Sequence, residues 1–185
     1  ADSDRRVMMH PFEGENMTLG SATCAAEYIE QSPEIDLFVI PVGGGGLISG
    51  MACMIKKSNP RAIVVGVEPF GAAGLFESFK VGKPVSLGTV NTIADSLGSP
   101  VTLPHSFSIA KKFVDKIVRV SDNELLESMN YYQDILSITA EPACAASLAA
   151  ILGPLKNEIL GRSVGIIACG SNISLTRYNV LLEQL

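Results

Sequence analysis

IPVGGGGLISGM, residues 40–51, joins an apolar run to a helix-like run through four consecutive glycines. Glycine loses the most conformational freedom on folding. Four in a row mark a backbone that turns as only glycine can, or that something approaches closely. Upstream, DLFVIPV (36–42) is bounded by an acid and the glycines and reads as a buried strand. Downstream, LISGMACMIKKS (47–58) reads as a helix closed by Asn59-Pro60. A glycine turn from strand to helix presents free N–H groups at the positive end of a helix dipole. That is an anion site, and phosphate is its usual occupant.

The same alternation continues in both directions. AIVVGVEP (62–69) is a second strand, AAGLFESFKVG (72–82) a helix and KIVRVSD (116–122) a third strand. Ser121 and Glu124 form an S-x-x-E capping box that opens NELLESMNYYQDIL as a helix. EPACAASLAAILG (141–153) is a small-residue helix expected to be buried on most sides. SVGIIACG (163–170) is a fourth strand, and a last helix follows in SLTRYNVLLEQL. Ahead of the glycines, SATCAAEYIEQ (21–31) is helical and RVMMHP (6–11) is a candidate short strand. Strand–helix alternation predicts right-handed crossovers and an α/β fold, a parallel sheet covered on both faces in three αβα layers. Strands 36–42, 62–68 and 163–169 are expected at its centre, with Gly43–Gly46 and Cys169 on one edge. The stretch 83–106 is irregular and long for a plain connection. No repeat or linker divides the chain, so residues 1–185 are expected to form a single domain.

The chain is 47% hydrophobic and 18% charged, with a net charge of −5. Basic residues cluster no further than Arg5-Arg6, Lys56-Lys57 and Lys111-Lys112, which argues against a nucleic-acid partner. No apolar run approaches a membrane span, and ADSDRRVMMHPF has no signal-like core. A cytoplasmic protein with no membrane partner is expected. Cysteines at 24, 53, 144 and 169 form no CxxC pair, so zinc and redox motifs are absent and buried, reduced thiols are expected. As for the anion, a Walker A loop requires Gly-Lys-Ser/Thr, whereas Gly46 precedes Leu47-Ile48. The dinucleotide fingerprint fails at Ser49, although Glu68 ends the next strand where a ribose-binding acid would sit. A monophosphate ligand is the leading reading; a nucleotide and an unliganded turn are the others.

PVGGGGLISG (41–50), GVEP (66–69), TIADSLG (92–98), EPACAA (141–146) and ACGSNIS (168–174) follow the order and spacing of the threonine/serine dehydratases. The chain resembles these fold-type II pyridoxal-phosphate enzymes, the tryptophan-synthase-β-like group, from HPFEG (10–14) onward. One departure is large. The family's Schiff-base lysine, in an S-x-K-x-R-type segment, and its Gly-Asn-His-type loop have no counterpart; none of the eight lysines has that context. The resemblance therefore implies the C-terminal part of the large cofactor domain, without the small domain or the catalytic lysine.

The resemblance also implies roles. Gly43, Gly44, Gly45 and Gly46 would take the phosphate of pyridoxal 5'-phosphate, with Leu47 as a lid. Cys169 would stand against the pyridine nitrogen, where a neutral thiol suits β-elimination, with Gly170 and Asn172 beside it. Ala94, with Asp95 and Ser96, falls in a loop against one face of the cofactor, and Ser96 replaces the family's glycine. Glu141 is either a cofactor neighbour or a carboxylate placed by the helix dipole. Glu68 and the Ala72 carbonyl match part of a divalent-cation site found in some relatives, but Gly74 stands where a further carboxylate is expected. The implied activity is an ammonia-lyase that turns a small β-hydroxy amino acid into a 2-oxo acid and ammonia. This chain alone is expected to be inactive, and to pair with the missing N-terminal portion in a homo-oligomer. The alternatives are a racemase, a dehydratase of another hydroxy-amino compound, and a non-catalytic half that binds a phosphate ligand.

Overall fold

The structure, a computed structural model, describes residues 9–185. Its core is a four-stranded parallel sheet: β1 (Leu37–Pro41), β2 (Ile63–Pro69), β3 (Lys116–Val120) and β4 (Val164–Ile166), in the order β3-β2-β1-β4. Leu37 is in register with both Ile63 and Val164, and Glu68 with Arg119.

Side chains alternate across a strand, and β1 shows how that divides the core. Phe38 and Ile40 join one apolar cluster with α1 (Glu15–Gln31), α2 (Gly46–Ser58), α3 (Gly74–Val81) and α4 (Pro104–Phe113). Leu37 and Val39 join the other with α5 (Asp122–Leu136) and α6 (Pro142–Leu152). The three αβα layers are therefore present, and α7 (Leu175–Leu182) packs on α5 through Tyr178 and Leu181. The small residues of α6 let it lie close on the sheet: Ala143, Ala146, Ala149 and Ala150 are buried there, and Ser147 Oγ donates to Val39 O at 2.9 Å. The Ser121–Glu124 capping box forms as the sequence predicts.

Several expectations are corrected. The fourth strand covers only 164–166 rather than 163–169, and it is an edge strand, not a central one. Its apolar run outlasts its ladder with β1, and Ile167 packs into the core without strand pairing. The helix expected at 72–82 starts at Gly74, after a 3-10 turn over Phe70–Ala72. The first helix starts at Glu15 rather than 21. Helix α4, not anticipated, follows the irregular stretch; Pro104 in its first turn and Lys111 and Lys112 in its last are ordinary helix-end signals. Of the candidate strand 6–11, residues 6–8 lie outside the described residues and 9–11 are not a strand. Only Cys144 is buried; Cys53 is half-buried, and Cys24 and Cys169 are exposed. Among the described residues, no helix is long and apolar enough to cross a membrane.

Candidate active site

The loops after β1 and β4 emerge side by side at the carboxyl edge of the sheet. Between them lies a cavity of about 340 Å3 lined by Pro11, Phe12, Met17, Gly43–Gly46, Leu47, Ser96, Leu97, Glu141 and Cys169. One wall is the glycine loop. Gly45 caps α2 with φ +89°, a left-handed conformation that a side chain would strain. None of the Gly43–Gly46 amides donates a hydrogen bond among the described residues, so these N–H groups, at the positive end of the α2 dipole, remain available to an anion.

The glycines also answer to the chain itself. A Cβ on Gly44 would lie 2.1 Å from the Phe12 ring, and one on Gly46 would lie 2.7 Å from Phe12 Cα. Residues 10–13 thus run as a strap across the loop. Ser106 Oγ donates to Phe12 O at 2.7 Å, and the Glu13 carboxylate accepts from the His105 and Ser106 amides at 2.7 and 3.0 Å. The carboxylate caps α4, whose first N–H groups have no helical partner. Burial works against the Glu13 carboxylate, but these hydrogen bonds and nearby His105 outweigh it and hold its pKa below the usual value. Sequence reading used HPFEG only as a point of resemblance and missed this clamp, because its partners lie far along the chain.

The opposite wall is Cys169 and Glu141. Cys169 lies three residues past the end of β4 rather than ending a buried strand. Although exposed as a residue, its thiol is crowded enough that desolvation raises its pKa, and Cys24 and Glu141 add to the rise, so the thiol is neutral near pH 7. Glu141 is buried at the start of α6. Its amide donates to Gly170 O at 3.1 Å, and a Cβ on Gly170 would sit 2.2 Å from Glu141 Oε1. Burial, and then the charge of Asp95, raises the Glu141 pKa, while the Asn172 amide and Ser96 act against them. Asn172 lines a second cavity of about 280 Å3 that shares Glu141 with the first and also contains Asp95 and Arg177.

The remaining predicted residues lie elsewhere. Ala94 is fully buried under the Asp95–Leu97 turn and lines neither cavity; the neighbouring Ser96 and Leu97 face the first instead. Asp122 holds this segment by accepting from Thr92 Oγ1 at 2.6 Å and the Ile93 amide at 3.1 Å. Glu68 and Ala72 are buried at the end of β2 and the turn after it, outside both cavities. No lysine lines the main cavity. Lys56, for example, lies near the far end of α2, paired with Asp115 at 2.7 Å. The open glycine amides and the neutral thiol fit a phosphate-bearing cofactor with an uncharged ring nitrogen.

Residues 1–170 match the family model described as "Pyridoxal-phosphate dependent enzyme". The chain is 42% identical over 167 residues to a phenylserine dehydratase of Ralstonia pickettii, covering 90% of this chain and 51% of that protein. Among solved structures it is similar to maize serine racemase, with TM-score 0.90, 32% identity, and coverage of 99% of this chain and 57% of that one. It is also similar to the processed form of threonine deaminase isoform 2 from Solanum lycopersicum, with TM-score 0.93, 28% identity, and coverage of 98% and 53%. The chain spans about half the length of the curated relatives it matches.

Proposed function

The chain belongs to the pyridoxal-phosphate dependent enzymes, and from that premise we propose that it is the cofactor-holding part of an ammonia-lyase that dehydrates a β-hydroxy amino acid to a 2-oxo acid and ammonia. The observation that carries this reading is one cavity with two unlike walls: unpaired glycine amides on one side, a neutral thiol on the other.

The amides of Gly43–Gly46 and the N-terminus of α2 would hold the phosphate. Leu47, which lines the cavity, would close one side of it. Cys169, with Gly170 and Asn172 near it, would face the ring nitrogen and leave it uncharged. When bound, pyridoxal phosphate withdraws electrons from the substrate's Cα, so that the Cα proton and the Cβ hydroxyl can both leave. By leaving the ring nitrogen uncharged, the neutral Cys169 thiol would favour loss of hydroxide over reprotonation. Glu141, held near Ser96 and Gly170, fixes the β4 loop against α6. The base and the covalent tether would come from a lysine outside these 185 residues, in an N-terminal portion that completes the site, and the assembled enzyme would be a homo-oligomer.

Phenylserine, threonine and serine are the substrates to test, phenylserine first because the relative from Ralstonia pickettii bears its name. The chain alone with pyridoxal phosphate is expected to release no 2-oxo acid and, after borohydride reduction, to show no single stoichiometric lysine adduct by mass spectrometry. Adding the N-terminal portion in trans is expected to restore 2-oxo acid production. Turnover by the chain alone with one labelled lysine would overturn the assignment. D-serine in place of 2-oxo acid from the assembled enzyme would favour the racemase reading, which the likeness to maize serine racemase supports.

A further inference from the structure

Glu68, next to last in β2, is wholly buried. Its two carboxylate oxygens accept from the amides of Leu75 and Phe76, at 2.8 and 2.7 Å, and so cap the first turn of α3. Directly across the ladder, in register, is Arg119 of β3. The Arg119 guanidinium lies over two rings, 4.0 Å from the centroid of Phe76 in α3 and 4.7 Å from that of Phe70 in the turn after β2. A delocalised, weakly hydrated cation is well suited to such a place.

The resemblance named Glu68 and Ala72 as ligands of a divalent cation, and the residues present do not fit one. Such a cation takes several oxygens, but both Glu68 oxygens are engaged by amide donors. Residue 74 is a buried glycine, and a Cβ there would meet Thr102 Oγ1 at 3.1 Å. Among the described residues, no group of three or more His, Cys, Asp or Glu is placed to share an ion. What the corner does contain is a fixed positive side chain.

We propose that Arg119 is the built-in cation of this corner: its guanidinium, seated on Phe70 and Phe76 in register with Glu68, pins α3 to the end of β2, and no divalent metal binds there. The strand register places Arg119 beside Glu68, the two rings seat its guanidinium, and one of them, Phe76, belongs to the helix turn that Glu68 caps. The other charges facing this corner among the described residues are Glu77 and Lys80 of α3, paired at 3.0 Å, with Lys80 Nζ also over the Phe76 ring at 4.4 Å.

The test uses the full chain. Its thermal midpoint is measured with millimolar MgCl2, CaCl2 or MnCl2, with EDTA, and with NaCl at matched ionic strength. No difference is expected between the divalent salts and the NaCl control; a midpoint raised by several degrees with one divalent ion and reversed by EDTA would overturn the proposal. In parallel, Arg119→Gln is compared with the unaltered chain, and the same substitution is made in the Glu68→Gln background. The midpoint loss is expected to be smaller in the Glu68→Gln background, and Arg119→Lys is expected to recover part of the loss in the unaltered background only. An equal loss in both backgrounds would show Arg119 to be packing alone and would also overturn the proposal.

Discussion

Replacing Gly46 by alanine tests whether the strap over the glycine loop is firm. Gly46 is the first residue of α2 and has no positive φ, so backbone strain does not enter. Within a helix, alanine is favoured over glycine by about 1 kcal/mol. A loose strap would therefore leave Gly46→Ala equal to or more stable than the original. The structure argues the opposite sign. The new Cβ would lie 2.7 Å from Phe12 Cα and 2.9 Å from Phe12 O, where ordinary contact begins at 3.4 Å. These are backbone atoms, and the strap cannot retreat without loosening the bonds of Ser106 to Phe12 O and of Glu13 to α4. Overpacking costs about 1–3 kcal/mol, and each weakened hydrogen bond adds about 1 kcal/mol. With one of these bonds weakened, and after the helix-propensity gain, a net loss of about 1–3 kcal/mol is expected. Because the loop shifts with the strap, pyridoxal phosphate should also bind about tenfold more weakly, equivalent to about 1.4 kcal/mol. Urea denaturation gives the first quantity and titration of the cofactor's absorbance the second. Gly46→Ala more stable than the original chain, with unchanged cofactor affinity, would falsify the strap argument.

Three further expectations follow from single sites. In α1, Gly20 meets nothing within 4 Å, so Gly20→Ala should stabilise by about 0.5–1 kcal/mol; Gly50→Ala in α2 should destabilise by about 1–3 kcal/mol, since its Cβ would lie 2.2 Å from Ser21 Oγ and Thr18 O; urea midpoints distinguish the two. Burial pushes Glu68 up to about 8 from 4.5, the Leu75 and Phe76 amides and Arg119 opposing. The folded form therefore holds the Glu68 proton more tightly, so its contribution is complete below pH 4.5 and is lost as pH rises to about 8, and Glu68→Gln should flatten the pH profile of the urea midpoint over that window. Among the cysteines, iodoacetamide at pH 7 should leave buried Cys144, its thiol pushed up to about 12, unlabelled, and should label Cys169 slowly, more slowly still with pyridoxal phosphate bound; peptide mass spectrometry reads both.

How much of this was legible in the sequence depended on the range of the interaction. Strands buried on both faces read as unbroken apolar runs, so β1, β2 and β3 were found nearly to the residue, and the capping box marked α5 because both partners lie within one turn. The glycine loop reads as a candidate anion site for the same local reason. Cysteine burial was misread because apolar neighbours do not say which face of a helix turns inward: α1 packs through Ser21 and Ala25, which leaves Cys24 outside. Helix α4 was overlooked although its end signals were present, because the irregular stretch before it masked the change of pattern. The strap was beyond sequence reasoning, since nothing local to Phe12 foretells Gly44 or Gly46, and nothing local to Glu13 foretells the first turn of α4.

The strand order explains why motifs so distant in sequence share one cavity. From β1 the chain moves to β2 and then β3 on one side, through α2 on one face of the sheet; it later returns to lay β4 on the other side of β1, after α6 on the opposite face. The direction of winding therefore reverses between β1 and β4. At such a point the two following loops diverge to opposite faces and leave a crevice beyond the carboxyl ends of the strands, where ligands of open α/β sheets bind. Gly43–Gly46 follow β1 and Cys169 follows β4, so the two borders of the crevice carry the two chemistries. The shortness of β4 fits this position. Its ladder with β1 stops at Val39–Ile166, before the strand partners reach the cavity, and frees residues 167–170 to turn toward Glu141. Had β4 run to Cys169 as its apolar run suggested, that backbone would have been committed to strand pairing rather than to the Gly170–Glu141 contact that shapes the cavity wall.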